Sequence, residues 1–391
     1  MVGSLAPGGA ERVAVELAMG LAARGWDAEI LVAGAGRREA SPYEAALREE
    51  ASRRGVALRQ VDFPSIRQRS AWARLRRLLV DGGFELVHAH NRPQDWQLVA
   101  LCRLLGVPAI YTVHRSHELT ARQRALYAAC ARLTPVVVCV SRTVARHVET
   151  MEKVPLRKIR VIHNGIDLAR FQRPSADERA RVRRELGWAP DDFVWICVAR
   201  LAEPKGHRFL VEAMARLRPS RSRLALAGDG ALAGAIAADV ARLDLGDRVQ
   251  LLGSRSDVAA LLGAADGYAC ASLTEGHPLS LLEAMAMELP VIAPRLSAVS
   301  EIASAGSLVL FGPEHGAVAP THDPAELARA MSDVENDRDG HRRAAHGARE
   351  RVGATFSLDA MLDAHERLYR ETIDAASSRS FLSRIADRRF W

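Results

Sequence analysis

The chain has 391 residues, 48% of them hydrophobic. A single core seldom grows beyond ~250–300 residues, so two domains are expected. No run of ~18 or more uncharged apolar residues occurs and no basic start leads into an apolar stretch, which argues against a transmembrane helix or signal peptide and for a cytoplasmic protein. The net charge of +7 is small for this length and lysine occurs only at 153, 158 and 205, so the arginine bias is weak ground for nucleic acid binding and none is expected.

In chain order, Pro7-Gly8-Gly9-Ala10-Glu11-Arg12 comes first, followed by an amphipathic helix in which Val13, Leu17 and Leu21 share a face. Strand-like runs fall at residues 29–33, 86–90, 109–114, 136–140 and 160–163, then at 193–199, 224–227, 249–252, 267–271 and 291–293. Helical patterns separate them, which predicts parallel sheets wrapped by helices. Residues 65–80 set Arg67, Arg69, Arg74, Arg76 and Arg77 beside Ile66, Trp72, Leu75, Leu78 and Leu79. Such a helix is either an ordinary solvated one or a basic amphipathic surface for an anionic membrane. Residues 167–190 are charged and poor in strand signal, so the inter-domain connection is placed near 167–174. The fold class is therefore α/β, with two Rossmann-like domains facing a central cleft where strand carboxyl ends converge. A helix is expected over 357–374, and the Ser- and Arg-rich stretch 375–391 reads as a mobile or weakly docked tail.

Several turns carry residues suited to chemistry. Gly8 and Gly9 before a helix would let a ligand approach the backbone, although paired glycines there are more often structural. His88 and His90 alternate on one strand and His114 ends the next. No third ligand completes a metal set, and no metal is expected. Cys102, Cys130, Cys139, Cys197 and Cys270 lie mostly in apolar runs with no CxxC pair, so buried free thiols are expected rather than disulfides or zinc. Arg200 and Lys205 flank the turn after residues 193–199, where two cations suit a diphosphate or are plain surface charges. Gly253 closes another strand. The run from Ser272 to Ala286 then places Glu275 and Glu283 around a strand-to-helix turn marked by Gly276, His277, Pro278 and Leu279. A helix N-terminus opening onto that turn favours an anion, and a helical carboxylate can accept hydrogen bonds from vicinal hydroxyls, so phosphate plus ribose suits the place. As an isolated pair, Glu275 and Glu283 read equally well as helix-start carboxylates.

Glu275-Gly276-x-Pro278, Glu283-Ala-Met-Ala286 and Leu289-Pro-Val-Ile292 resemble the E-x7-E signature of retaining glycosyltransferase family 4, a family of GT-B fold. Arg200-x4-Lys205-Gly206, His114 and His163-Asn-Gly-Ile-Asp167 extend the resemblance over most of the chain. It implies an acceptor domain over 1–170, a nucleotide-sugar donor domain over 171–356, and a last helix, 357–374, crossing back to the first domain. It further implies that Arg200 and Lys205 neutralise the leaving diphosphate without a divalent metal and that Glu283 binds ribose. Glu275 and His114 would contact the donor sugar, with Gly276, His277, Pro278 and Leu279 completing the donor loop, Gly253 beside the base, and Gly8 and Gly9 on phosphate or acceptor. The implied catalytic set is Glu275, His114, Arg200 and Lys205. The partners are a UDP- or GDP-sugar, a substrate rather than a cofactor, and a small-molecule, glycan or lipid-linked acceptor, with peripheral contact with an anionic membrane as an added expectation. The chain departs from the pattern at Arg115, where an acidic residue is usual, and at Glu288 and Ser297-Ala298, where glycines are common; these departures bear on donor selectivity and the sugar pocket. Rival readings are a nucleotide-sugar epimerase on the same fold, a non-catalytic sugar-nucleotide binder and a dinucleotide oxidoreductase. The last lacks a strand-linked G-x-G-x-x-G.

Overall fold

The computed structural model describes residues 2, 5, 8–33, 42–61, 69–90, 95–114, 120–217, 221–303, 308–315 and 322–387. Two compact units emerge: Met1–His163 together with Met361–Trp391, and Asn164–Ala360. The division falls at His163 rather than at the expected 170. The reason is local: Ile166 pairs in parallel with Ser357, its N–H donating to the Phe356 carbonyl at 3.0 Å, so the segment following Asn164 is tied to the second unit.

In the first unit, β1 (Glu29–Ala33) pairs in parallel with β2 (Ala57–Val61). A second parallel sheet runs β3 (Val87–His90), β4 (Ala109–Val113), β5 (Val136–Cys139) and β6 (Ile159–Val161) in that order. Val2 adds a single parallel bridge to Val32. β4 is buried along its whole length, as its β-branched and aromatic run Ala-Ile-Tyr-Thr-Val suits an interior parallel strand. A cavity of about 300 Å3 is lined by residues of both β1 and β3, among them Ile30 and His88, with Leu17, Trp26 and Tyr369. β2 was not expected: Ala-Leu-Arg-Gln-Val is largely exposed and carries little alternation, and pairing with β1 makes it a strand.

The helix Arg69–Asp81 buries Leu75 and Leu79 in the core, with Trp72 and Leu78 packed against it. The fold thus takes up Leu75 and Leu79 and leaves Arg74, Arg76 and Arg77 exposed. Residues 65–68 of the expected helix, Arg67 included, lie outside the described residues. Among the described residues no helix is long and apolar enough to cross a membrane. The helix Leu358–Asp387 continues 13 residues beyond the expected end at 374. Residues 375–387 contain neither Gly nor Pro, so nothing in them stops a helix. It holds to its own unit through Arg24, which reaches Asp363 at 2.6 Å.

The second unit is one six-stranded parallel sheet of β7 (Phe193–Val198), β8 (Ser222–Ala227), β9 (Val249–Gly253), β10 (Gly267–Ala269), β11 (Val291–Leu296) and β12 (Leu308–His315), ordered β12-β11-β10-β7-β8-β9. β12 was missed, because a single short apolar run before Gly312 gives no periodicity. One core lies on each face of the sheet, with Ile196 and Tyr268 in one and Trp195 and Ile292 in the other. The five cysteines are all buried free thiols.

Two buried histidines set a pH dependence for the fold. His207 is pushed down to about 4 by burial and then by the Lys205 charge. His365 is likewise pushed down to about 4 by burial, against the partial offset of its hydrogen bond to the Met361 carbonyl. Both pKa values lie below the ordinary histidine value, so the folded state loses stability as pH falls through the unfolded value of about 6.5 towards 4, and the full contribution is present above 6.5. Each histidine is expected to cost about 2 kcal/mol between pH 7 and 5. Urea unfolding at the two pH values checks it, and His207→Phe should flatten the decline for the second unit.

Candidate active site

In the second unit the chain runs from β7 outward to β8 and β9, then returns to β10 on the other side of β7. A crevice opens at such a reversal beyond the strand carboxyl ends, the usual place for a ligand in an open α/β sheet. The loops after β7 and β10 meet there. Leu273 N–H donates to the Pro204 carbonyl at 2.8 Å, Leu201 N–H to the Asp229 carbonyl at 2.9 Å, and Gly228 N–H to the Gly253 carbonyl at 2.8 Å. The loops after β7, β8, β9 and β10 are therefore stitched into one surface by backbone hydrogen bonds.

Lys205 ends the short 3-10 turn Glu203–Lys205, and Gly206 follows with φ 63°. Close packing demands glycine here: a Cβ would stand 1.9 Å from the Ala271 carbonyl oxygen, at the end of β10. This contact brings Lys205 beside Glu275, with Nζ 2.6 Å from Oε1. The Glu275 side chain is 9% exposed and that of Lys205 27%. Burial opposes the Lys205 charge, but the adjoining carboxylate outweighs it and holds the ammonium above the usual lysine value. Arg200, at the carboxyl end of β7, is exposed, and among the described residues no ion pair includes it. One cation therefore enters the site already paired with a carboxylate, and a second faces solvent.

The helix Leu279–Ala286 begins after Pro278 and buries Leu281, Leu282, Ala284, Met285 and Ala286. Its only polar residues, Ser280 and Glu283, are one turn apart and half-buried. Ser280 Oγ is 2.8 Å from Tyr268 Oη. Asn164, within the His163 to Asp167 run, is buried and its amide donates to the His277 carbonyl at 3.2 Å, which steadies the Glu275 to Pro278 loop. The His277 ring is buried edge-on to Phe356, so it packs within the unit. Glu288 has a conformational explanation. Its φ is 58°, Leu289 N–H donates to the Ala284 carbonyl and Glu288 N–H to that of Met285, which is the pairing of a left-handed helix C-terminus that favours glycine. The residue sits at the end of the helix rather than at its start, and it pairs with Arg173 at 3.4 Å.

In the first unit Gly8 has φ −173°, an extended conformation open to any residue, so backbone strain does not account for glycine there. Gly9 starts the helix Gly9–Ala23 and is exposed. Arg12 is engaged structurally, with Glu16 at 2.6 Å and Glu50 at 3.0 Å. His114 is half-buried at the end of β4, with its Nε2 3.0 Å from His90 Nδ1. Arg115 lies outside the described residues. Among the described residues no three His, Cys, Asp or Glu side chains gather as a metal set. His88 is engaged by Tyr369 and Thr112.

Residues 7–170 match the family model described as Glycosyltransferase Family 4, and residues 192–337 that described as Glycosyl transferases group 1. The chain is 29% identical over 244 residues to the UDP-Gal:alpha-D-GlcNAc-diphosphoundecaprenol alpha-1,3-galactosyltransferase of Escherichia coli, covering 57% of this chain and 61% of the relative. It is 29% identical over 334 residues to the D-inositol 3-phosphate glycosyltransferase of Salinispora arenicola, covering 76% and 71%. For several of these curated relatives, then, the chain spans only about three fifths of their length. Anabaena Alr3699/HepE, solved in complex with UDP and glucose, superposes with a TM-score of 0.82 at 20% identity over 95% of this chain and 98% of that one. The likeness to this solved structure shows a fold of the GT-B class. Residues 7–170 thus belong to glycosyltransferase family 4 and residues 192–337 to the group 1 glycosyl transferases.

Proposed function

We propose that the protein transfers a sugar from a nucleotide-sugar donor, a UDP- or GDP-sugar, to an acceptor hydroxyl with retention of anomeric configuration, the second unit holding the donor and the first the acceptor. The observation that carries this reading is the Lys205–Glu275 pair at the reversal between β7 and β10, with Arg200 exposed on the adjoining strand end. A diphosphate placed there meets two cations, and charge developing on the leaving group is neutralised where it forms. Glu275 is then shared between Lys205 and the sugar hydroxyls, and Glu283, a turn into the helix, accepts from the ribose hydroxyls. Gly253 offers backbone to the base, and Gly276 to Leu279 shape the donor loop. Gly8, Gly9 and His114 serve the first unit, on acceptor or phosphate and on donor sugar respectively.

Retention follows in this reading from a same-face exchange. The bond from anomeric carbon to diphosphate oxygen breaks, the acceptor oxygen bonds to that carbon on the same face, and the acceptor proton passes to the departing phosphate oxygen. No enzyme nucleophile is required, and a carboxylate engaged by an ammonium at 2.6 Å is poorly disposed to be one.

Calorimetry with UDP and with GDP, beside transfer kinetics in chelator, tests the assignment. Glu283→Ala should weaken the preferred nucleotide by roughly 1.5–3 kcal/mol through loss of charged hydrogen bonds. Glu275→Gln should leave that affinity unchanged or slightly tighter, since Lys205 is released to the phosphate, while turnover falls. An equal loss of nucleotide affinity in both variants would refute the division of roles, and turnover that vanishes in chelator would refute the cation pair as the neutralising device.

A further inference from the structure

In the first unit a cluster of imidazoles gathers behind His114. His88 and His90, two apart on β3, have ring centroids 4.2 Å apart. His90 stacks on His114 with centroids 5.3 Å apart and planes 23° from parallel, and its Nδ1 is 3.0 Å from His114 Nε2. His88 is fixed from the other side: Nε2 is 2.6 Å from Thr112 Oγ1 and Nδ1 2.5 Å from the Tyr369 hydroxyl, on the helix Leu358–Asp387. The His365 ring lies 5.7 Å from that of His88. Burial, and then the neighbouring imidazoles, hold both His88 and His90 well below the usual histidine value, so both are neutral. In the His90–His114 contact one ring nitrogen donates and the other accepts, so the contact couples the tautomers of the two rings as well as fixing their orientation.

His114 is the half-buried member of the cluster, at the end of its strand, whereas His90 is 6% exposed. A ring at a strand end loses side-chain freedom only if a partner holds it, and flipping would exchange the two nitrogens that it presents. We propose that His90 is a positioning residue for the transfer reaction, holding the His114 imidazole in one orientation and tautomer against the donor sugar through its Nδ1 hydrogen bond, with His88 and Tyr369 bracing it from behind. The proposal rests on the reading that His114 contacts the donor sugar.

Two substitutions at His90 separate positioning from packing. Asn can place an amide atom where Nδ1 stands but loses the ring; Phe keeps a ring against His88 but loses the hydrogen bond. If His90 positions His114, His90→Phe should lower kcat about tenfold to a hundredfold, with little change in the donor KM, as for a misplaced reacting group. His90→Asn should recover most of that loss, and His90→Phe should have no further effect in a His114→Ala background. If His90 only packs, the order reverses, with Phe tolerated and Asn damaging, and the proposal is overturned. Full turnover in His114→Ala alone would remove the reading of His114 and the proposal with it. Loss in His114→Ala with wild-type kcat in His90→Phe would overturn the proposal alone.

Discussion

Lys205→Ala is expected to lower turnover by about 10²- to 10³-fold, as when one preorganised charge-stabilising donor is removed. The same change leaves Glu275, whose side chain is 9% exposed, without its cation, so the fold should also lose about 1–3 kcal/mol. The two effects are separable. Lys205→Met combined with Glu275→Gln removes both charges, so it should return the melting temperature towards the wild type, because no uncompensated carboxylate remains. It should not return turnover, since neither the cation nor the carboxylate is restored. Single-turnover kinetics and thermal unfolding on the single and double variants give the answer: wild-type turnover in Lys205→Ala would take this residue out of the chemistry, and recovery of turnover in the double variant would reduce the pair to a stability device.

Gly206→Ala should produce the largest loss of stability among the point changes considered. The added Cβ meets the Ala271 carbonyl oxygen at 1.9 Å while the backbone stays at φ 63°, so the loop after β7 must part from the end of β10. A cost above about 3 kcal/mol is expected, strain and displacement acting together. Gly187 is the matched control, for it also has positive φ, 71°, but open space where a Cβ would go. Gly187→Ala should cost only about 1–2 kcal/mol, the price of a left-handed conformation alone. Equal melting temperatures for the two variants would show that the close approach at Gly206 carries no weight.

The strand-to-turn-to-helix passage from Gly267 to Ala286 was legible in the chain because each signal in it is local. A short apolar run, Gly276 and Pro278, and a helical period follow one another within twenty residues. The extent of the last helix was not legible, since a Ser- and Arg-rich composition resembles a tail even where nothing breaks a helix. Glu288 was noticed as a departure from glycine, but its left-handed φ of 58° appears only when the helix end is closed in space. Asn164 was legible as part of the His163 to Asp167 run and illegible as a partner of His277, since the two lie 113 positions apart.

By itself the sequence determined the β–α alternation, the parallel sheets that follow from it, and which side chains stand at strand ends, because hydrophobic period and turn chemistry act over a few residues. Tertiary structure alone decided that Lys205 and Glu275, separated by 70 positions, form one ion pair. It also decided that His88, His90, His114 and His365 share one cluster, that β2 is a strand, and that the chain leaves the first unit after His163 and re-enters it at Met361. The physical reason is strand order. Whether β10 lies beside β7, or β3 beside β4, depends on the packing of whole sheets and helices, and no local window of residues contains it.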